Sequence, residues 1–279
     1  MNHVLSFQAK RHTRPLPARH FISSSDPCYG CTMRSGNFFL GIWRLFAVPL
    51  FSVVALLENI VTIPFLPRAK RLQARAKWLH RWCRVACRLI GLRVTAIGSP
   101  PESGLLVSNH LSYLDIIALS SLRPCLFVAK SDVALWPLFG WLATVGGTIF
   151  VDRERRLASP SVVERIRAAV ANGALVVLFP EGTSSDGSTV LPFKSALLES
   201  ASQIGSPITA GSIGYELDHG SVADEVCYWR DMTFAPHLFN LFFKSEIKAT
   251  CTFSSPRIRE NDRKKLAREL RDEILSMRS

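Results

Sequence analysis

Three hydrophobicity patterns follow one another along this chain. From Phe38 to Leu66 the residues are mostly apolar, with Arg44, Pro49, Glu58 and Pro64 among the interruptions. The charge-free run from Leu45 to Leu57 has the length of an interfacial or re-entrant helix, whereas a snorkelling Arg44 would extend it from Phe38 into a full span. From Arg68 to Arg93, Leu72, Trp78, Leu79, Trp82, Val85, Ala86 and Leu89 recur near helical spacing, with Arg71, Arg75, Lys77, Arg81, Arg84 and Arg88 between them. A helix carrying tryptophans and arginines in this way suits a membrane surface. Residues 37–92 are therefore expected to form a two-helix membrane anchor.

Beyond Leu92 short apolar runs alternate with amphipathic stretches. The runs predict strands at Leu92–Ile97, Leu105–Ser108, Cys125–Ala129, Thr148–Val151, Leu175–Phe179, Ile208–Gly214 and Glu246–Phe253. Helices are predicted at Leu114–Leu122, Val133–Val145, Val162–Ala171, Phe193–Gln203 and Asp262–Met277. Ser161 with Glu164 reads as a capping box for the third, and Asn172-Gly173 as its stop. Such alternation implies an α/β domain over 93–279, a mixed, largely parallel sheet of about seven strands flanked by helices. The aromatic segment Asp231 to Lys244 fits either a core-capping loop and helix or a contact with acyl chain or bilayer, and its His237 reads as structural.

Charge sharpens the membrane reading. The net charge is +12, yet residues 1–93 hold 15 Lys and Arg against only Asp26 and Glu58, and the remainder is close to neutral. Positive charge beside an apolar segment points to anionic lipid headgroups and away from nucleic acid. Residues 1–36 are rich in Ser, Pro and Arg without packing periodicity, and read as a disordered basic leader. A transit peptide shares that composition, as does an upstream extension before a start at Met33, so organellar targeting stays open beside the cytoplasmic face of an inner membrane. The seven cysteines form no spaced framework, and Cys28 with Cys31 makes one CxxC without a second pair. Reduced thiols and no metal site are expected.

Chemistry is suggested at the strand ends. Residues 108–115 read Ser-Asn-His-Leu-Ser-Tyr-Leu-Asp, placing His110 and Asp115 five apart where a strand gives way to a helix. An imidazole there, held by a carboxylate one turn on, can take a proton from a hydroxyl near neutral pH. A capping His with a helix-start Asp is the plainer reading of that pair alone. Phe127-Val128-Ala129-Lys130 ends another strand, Gly147-Thr148-Ile149-Phe150-Val151-Asp152-Arg153 a third, and Phe179-Pro180-Glu181-Gly182-Thr183 a fourth. One rim would then hold a base, two cations and a carboxylate, suited to an anionic substrate with a reactive hydroxyl.

In that order, Asn-His-x-x-x-x-Asp, Phe-Val-Asp-Arg and Phe-Pro-Glu-Gly-Thr resemble the glycerolipid acyltransferase family, typified by bacterial 1-acylglycerol-3-phosphate acyltransferases. The resemblance spans roughly residues 38–279. It implies acyl transfer from acyl carrier protein or coenzyme A, a co-substrate rather than a cofactor, to a lysolipid hydroxyl, with lysophosphatidic acid as the first acceptor. Carried over, His110 becomes the general base and Asp115 its orienting partner. Asn109 and Ser112 support the turn, Lys130 and Arg153 meet the anionic head, and Glu181, Gly182 and Thr183 form the acceptor-binding turn. Two departures stand out: Ser184 occupies a position where the family usually has arginine, and Pro207 lacks the usual second proline after it. The first makes a non-phosphate acceptor such as a lyso-ornithine lipid the alternative. A hydrolase is a rival from another class, but no Gly-x-Ser-x-Gly elbow is present. A metal site from His110, Asp115 and Glu181 lacks a second histidine, and an inactive membrane-binding protein would have no use for the His110–Asp115 pair.

Overall fold

The computed structural model describes residues 37–136, 139–151 and 160–278. The leader, the Cys28–Cys31 pair and Arg153 lie outside them. Seven strands form one sheet: β1 (Leu92–Ile97), β2 (Gly104–Ser108), β3 (Cys125–Lys130), β4 (Ile149–Val151), β5 (Leu175–Leu178), β6 (Ile208–Glu216) and β7 (Ile247–Phe253). Their order is β1-β7-β6-β2-β5-β3-β4, and every pair is parallel except β6 with β7. β2 and β5 sit at the centre and are buried along their whole length. This is why they read as continuous apolar runs without alternation.

The helices are α1 (Phe38–Thr62), α2 (Arg68–Ile90), α3 (Leu114–Leu122), α4 (Phe139–Val145), α5 (Pro160–Ala171), α6 (Glu199–Ile204), α7 (Val222–Glu225), α8 (Phe234–Phe242) and α9 (Arg263–Ser276). Leu105, Val107 and Val176 face a core shared with Ile166 of α5 and Leu270 of α9. Leu106 and Val177 face the opposite core, with Leu114 of α3 and Leu241 of α8. Helices cover both faces, as the alternating pattern implied.

Three helix expectations change in detail. The stretch Val133–Val145 divides into a 3-10 turn, Ser131–Leu135, and α4. Trp136 between them is extended (φ −69°, ψ 129°), the conformation that a following proline imposes. α5 opens at Pro160, so Ser161 lies inside its first turn and not at the position before it. The stretch from Phe193 starts late, as a 3-10 turn at Ser195–Leu198 before α6, because Lys194 is extended and its N–H donates to Pro180 O at 2.8 Å. The aromatic segment forms α8, which caps the core with His237, Leu241 and Phe242 buried and also lines an apolar cavity through Phe234 and Leu238, so both readings keep support.

The expected two-helix anchor reduces to one candidate. α1 with the turn after it, Phe38–Phe65, is long and apolar enough to cross a membrane, with an 18-residue stretch of mean hydropathy 2.1. α2 belongs to the α/β domain: its buried Ala76, Trp78, Cys83 and Cys87 face inward, and Trp78 Nε1 donates to Ala55 O at 3.1 Å. Its tryptophans fill the α1–α2 contact and not a bilayer, while Arg68, Lys70, Lys77, Arg81, Arg84 and Arg88 remain outside.

α1 docks by a stripe of small and polar residues, Gly41, Arg44, Ser52, Ala55 and Asn59, all buried. Arg44 does not snorkel. Its guanidinium donates to Leu89 O (2.9 Å) at the end of α2, and to Phe242 O (3.0 Å) and Lys244 O (2.5 Å) at the end of α8. Carbonyls at helix carboxyl ends lack intrahelical partners, and a cation is favourable beside them. Glu58 completes the seam through Arg81 and Trp82 Nε1 (2.6 Å). Phe39, Trp43, Phe46, Leu50 and Phe65 point outward and are exposed.

Candidate active site

His110 follows β2 and Glu181 follows β5, and these strands are adjacent and parallel with Val107 opposite Leu178. The two loops therefore leave the same edge of the sheet side by side. β3 ends there too, at Lys130, paired with Val151 of β4. The strand ends that carry His110, Lys130 and Glu181 share one rim, the carboxyl edge where open α/β sheets hold their ligands. Arg153 lies two residues past β4 and outside the described residues.

Asp115 sits in the first turn of α3 and is completely buried. Its Oδ2 accepts from His110 Nδ1 (2.7 Å) and from the main-chain N–H groups of Leu111 (2.7 Å) and Ser112 (3.1 Å). Its Oδ1 accepts from the Tyr215 hydroxyl at 2.6 Å. Leu111 and Ser112 can only donate, so the carboxylate is an acceptor, and Nδ1 of His110 carries the ring proton. Nε2 is the ring nitrogen left for a substrate. Among the described residues it has no hydrogen-bond partner, and the side chain is 22 % exposed. The ring lies flat on Phe179, centroids 4.3 Å apart, and Phe179 stacks on Phe127 in turn. Orientation by a carboxylate, a free Nε2 and an apolar backing are the geometry of a general base.

The loops fix that ring by its main chain. Glu181 Oε1 accepts the N–H of His110 at 2.7 Å, Oε2 accepts that of Leu191 at 2.9 Å, and Ser185 N–H donates to His110 O at 3.0 Å. Glu181 is 1 % exposed, and burial pushes its carboxyl above the ordinary range, with the two amides pulling it back. Both oxygens are used internally, so the expectation that Glu181 binds the acceptor is corrected: it holds the loop. Asn109 and Ser112 support the turn and, being buried, do not reach a substrate. Asn109 is fully buried and pairs with both main-chain groups of Ile213 (2.9 and 2.8 Å). Ser112, also fully buried, contributes its main chain to the Asp115 turn.

Gly182 and Thr183 remain at the rim, and Gly182 has φ +67°, which explains a glycine there. A Cβ at that position would lie 2.9 Å from Lys194 Nζ. The sequence reading missed this lysine, which is eleven residues from the motif and brought back only by its main-chain bond to Pro180. Ser184 turns away, its hydroxyl donating to Tyr228 O. Tyr215 was also missed: it lies 100 residues from Asp115, and no local pattern announces it. Burial, then the charge of Asp115, keeps its phenol well above the usual tyrosine range, so it stays a donor.

An apolar cavity of about 190 Å³ opens beside this rim, lined by Phe51, Trp78, Trp82, Tyr113, Phe127 and Phe234 among others. Phe127 connects it to the His110–Phe179 stack. Tyr113 OH pairs with His237 Nδ1 (2.9 Å), and His237 Nε2 donates to Cys227 O (3.0 Å). Among the described residues no three His, Cys, Asp or Glu side chains could share a metal ion.

Residues 93–214 match the family model "Acyltransferase". A lyso-ornithine lipid O-acyltransferase of Rhizobium meliloti (strain 1021) is 36 % identical over 220 residues, covering 73 % of this chain and 75 % of that protein. The chain belongs to the glycerolipid acyltransferase family. This O-acyltransferase is also 32 % identical over 258 residues to a Brucella abortus (strain 2308) enzyme of the same name, covering 85 % and 95 % of the two chains. A 1-acyl-sn-glycerol-3-phosphate acyltransferase of Neisseria gonorrhoeae is 34 % identical over 151 residues, covering 50 % and 59 %. The acyltransferase fold agrees with the crystal structure of the 1-acyl-sn-glycerophosphate acyltransferase PlsC from Thermotoga maritima, at TM-score 0.65 and 19 % identity over 86 % of this chain and 94 % of that one.

Proposed function

We propose that this enzyme moves a fatty acyl group from an acyl thioester to the free hydroxyl of a lysolipid, and that its preferred acceptor is a lyso-ornithine lipid ahead of 1-acylglycerol-3-phosphate. His110 Nε2 removes the hydroxyl proton as the oxygen attacks the thioester carbonyl. Asp115 stabilises the imidazolium, which returns the proton to the leaving thiolate. The thioester is already activated, so positioning and a base suffice without a covalent enzyme intermediate. The base contributes roughly 10²–10⁴ in rate. Coenzyme A or acyl carrier protein supplies the acyl group.

The observation that carries the acceptor choice is Ser184. Its hydroxyl is used on Tyr228 O, and position 184 itself carries no guanidinium where the family usually has one. A phosphate monoester head carries close to two negative charges and rewards an arginine fork. An N-acylated ornithine offers a single carboxylate, a smaller anionic demand that Lys194 meets at the rim. The relatives named for lyso-ornithine lipid support the same choice. The test is acylation of a panel of lysolipids by purified protein, with Ser184→Arg alongside. Wild type should favour the ornithine head, and Ser184→Arg should raise relative turnover of lysophosphatidic acid. Equal or better wild-type use of lysophosphatidic acid restores that lipid to first place.

The acyl chain enters the apolar cavity beside His110. The enzyme sits on a bilayer through the outward face of α1, where Phe39 is 85 % exposed, with the nearby Leu135 and Trp141, at 84 % and 66 %, adding apolar surface. Each large side chain buried contributes about 1.5–3 kcal/mol, so a few suffice for attachment. The outer lysines and arginines of α2 meet anionic headgroups. The cytoplasmic face of the membrane is where both thioester donors are available.

A further inference from the structure

We propose that Tyr215 is a positioning residue for the transfer reaction, acting through Asp115 to keep His110 unprotonated and aimed at the acceptor hydroxyl. β6 pairs with β2 only as far as Gly211 opposite Ser108, then continues to Glu216 beyond the end of its neighbour. That overhang carries Tyr215 across the loop after β2. Tyr215 lies on the same face as Ile213, whose main chain Asn109 clamps, so the register that seats His110 also seats the phenol. Tyr215 is 8 % exposed, and its hydroxyl is the donor to Asp115 Oδ1, while the other three donors all converge on Oδ2.

The physical consequence has a definite sign. With His110 neutral, Asp115 is a buried anion that needs every donor. Once His110 is protonated, the imidazolium itself balances the carboxylate. The Tyr215 hydroxyl therefore stabilises the first state more than the second and favours the base form. Other groups facing the pair do not reverse this. Glu181 after β5 raises the negative potential. Cys227 and Cys251, which also sense Asp115, are pushed up to about 12 by burial and stay neutral. Without Tyr215, Oδ1 would be a buried acceptor with no partner, and the pair would hold its proton to higher pH.

The proposal rests on His110 being the base, so the experiment separates the two ideas. Rates of acyl transfer from an acyl thioester to a lysolipid are measured against pH for the full chain, Tyr215→Phe and His110→Ala. Loss of activity in His110→Ala addresses the base alone. For Tyr215→Phe the acid limb of kcat/KM should move up by about one pH unit. Its deficit should then be roughly tenfold on that limb and shrink towards alkaline pH, with acceptor KM little changed. Difluorotyrosine at 215, an isosteric and stronger donor, should move the limb the other way, and it covers the case in which Tyr215→Phe folds poorly. A pH-independent loss, a change confined to KM, or an unmoved limb in the fluorinated protein overturns the proposal.

Discussion

Glu181 Oε1 accepts the main-chain N–H of His110 at 2.7 Å, so a buried acid grips the backbone of the base and leaves its ring to Asp115. The second oxygen grips Leu191, and the two central strands β2 and β5 are thereby joined beyond their last ladder bonds. Both partners donate, so an amide in place of the carboxylate would turn an NH2 against an N–H. Glu181→Gln should lose about 1–3 kcal/mol of stability and fall in kcat more than in acceptor KM. Denaturant unfolding and steady-state kinetics check this, and a rise in acceptor KM alone would return Glu181 to headgroup binding.

Asp115→Asn should keep both the turn and the tautomer, with its amide oxygen accepting from Leu111, Ser112 and His110 Nδ1 and its NH2 facing Tyr215. It removes the negative charge that stabilises the imidazolium. A loss on the order of 10²–10⁴ in kcat is expected, with membrane attachment unaffected. Retention of wild-type kcat would remove His110 from the chemistry.

α1 is held by features of the kind a bilayer-crossing helix seldom keeps. Arg44→Met would leave the carbonyls of Leu89, Phe242 and Lys244 without their donor, at a cost on the order of 3 kcal/mol. Gly41→Val would drive a side chain into the ring of Phe243, which a Cβ alone would approach to 2.4 Å. Both variants should expose the segment after Asn37 to limited proteolysis in detergent. Unchanged protection would show that α1 is held by something other than these contacts.

His237 gives a pH dependence of stability. Burial, the largest effect, lowers its proton affinity below the ordinary value of 6.5, and the neutral ring satisfies both Tyr113 and Cys227. The native state thus resists a proton that the unfolded chain accepts. The stability this provides is full above about pH 6.5 and is lost as pH falls towards the depressed value, by at most about 1.4 kcal/mol per unit. His237→Gln, which can accept and donate at the same sites, should unfold with a flatter dependence between pH 7 and 5. An equal slope in both proteins would place the acid sensitivity elsewhere.

Much of the fold was legible because the signals were local. The centres of all seven strands fell where apolar runs predicted them, and α3 and α5 ended where expected. Elements stopped differently where distant main chain intervened. Pro180 O pulled Lys194 out of a helix, and β6 ran past its predicted end because β7 pairs with it as far as Glu216. At the site, the His110–Asp115 spacing translated into one hydrogen bond. The role of Glu181 was not readable, since a polar residue in a motif looks the same whether it faces a ligand or a backbone amide.

By itself the sequence determined what short-range physics controls: the α/β alternation, the strand-to-helix turn that brings imidazole and carboxylate together, and an apolar first helix. Only the tertiary structure decided which side of that helix is buried. Its polar stripe disappears into the domain because Arg44, Glu58 and Asn59 find partners there, and the apolar side is left outside. The same is true of Tyr215 and Lys194. Hydrogen bonds between residues far apart in the chain depend on strand order and overhang, which no window of neighbouring residues encodes.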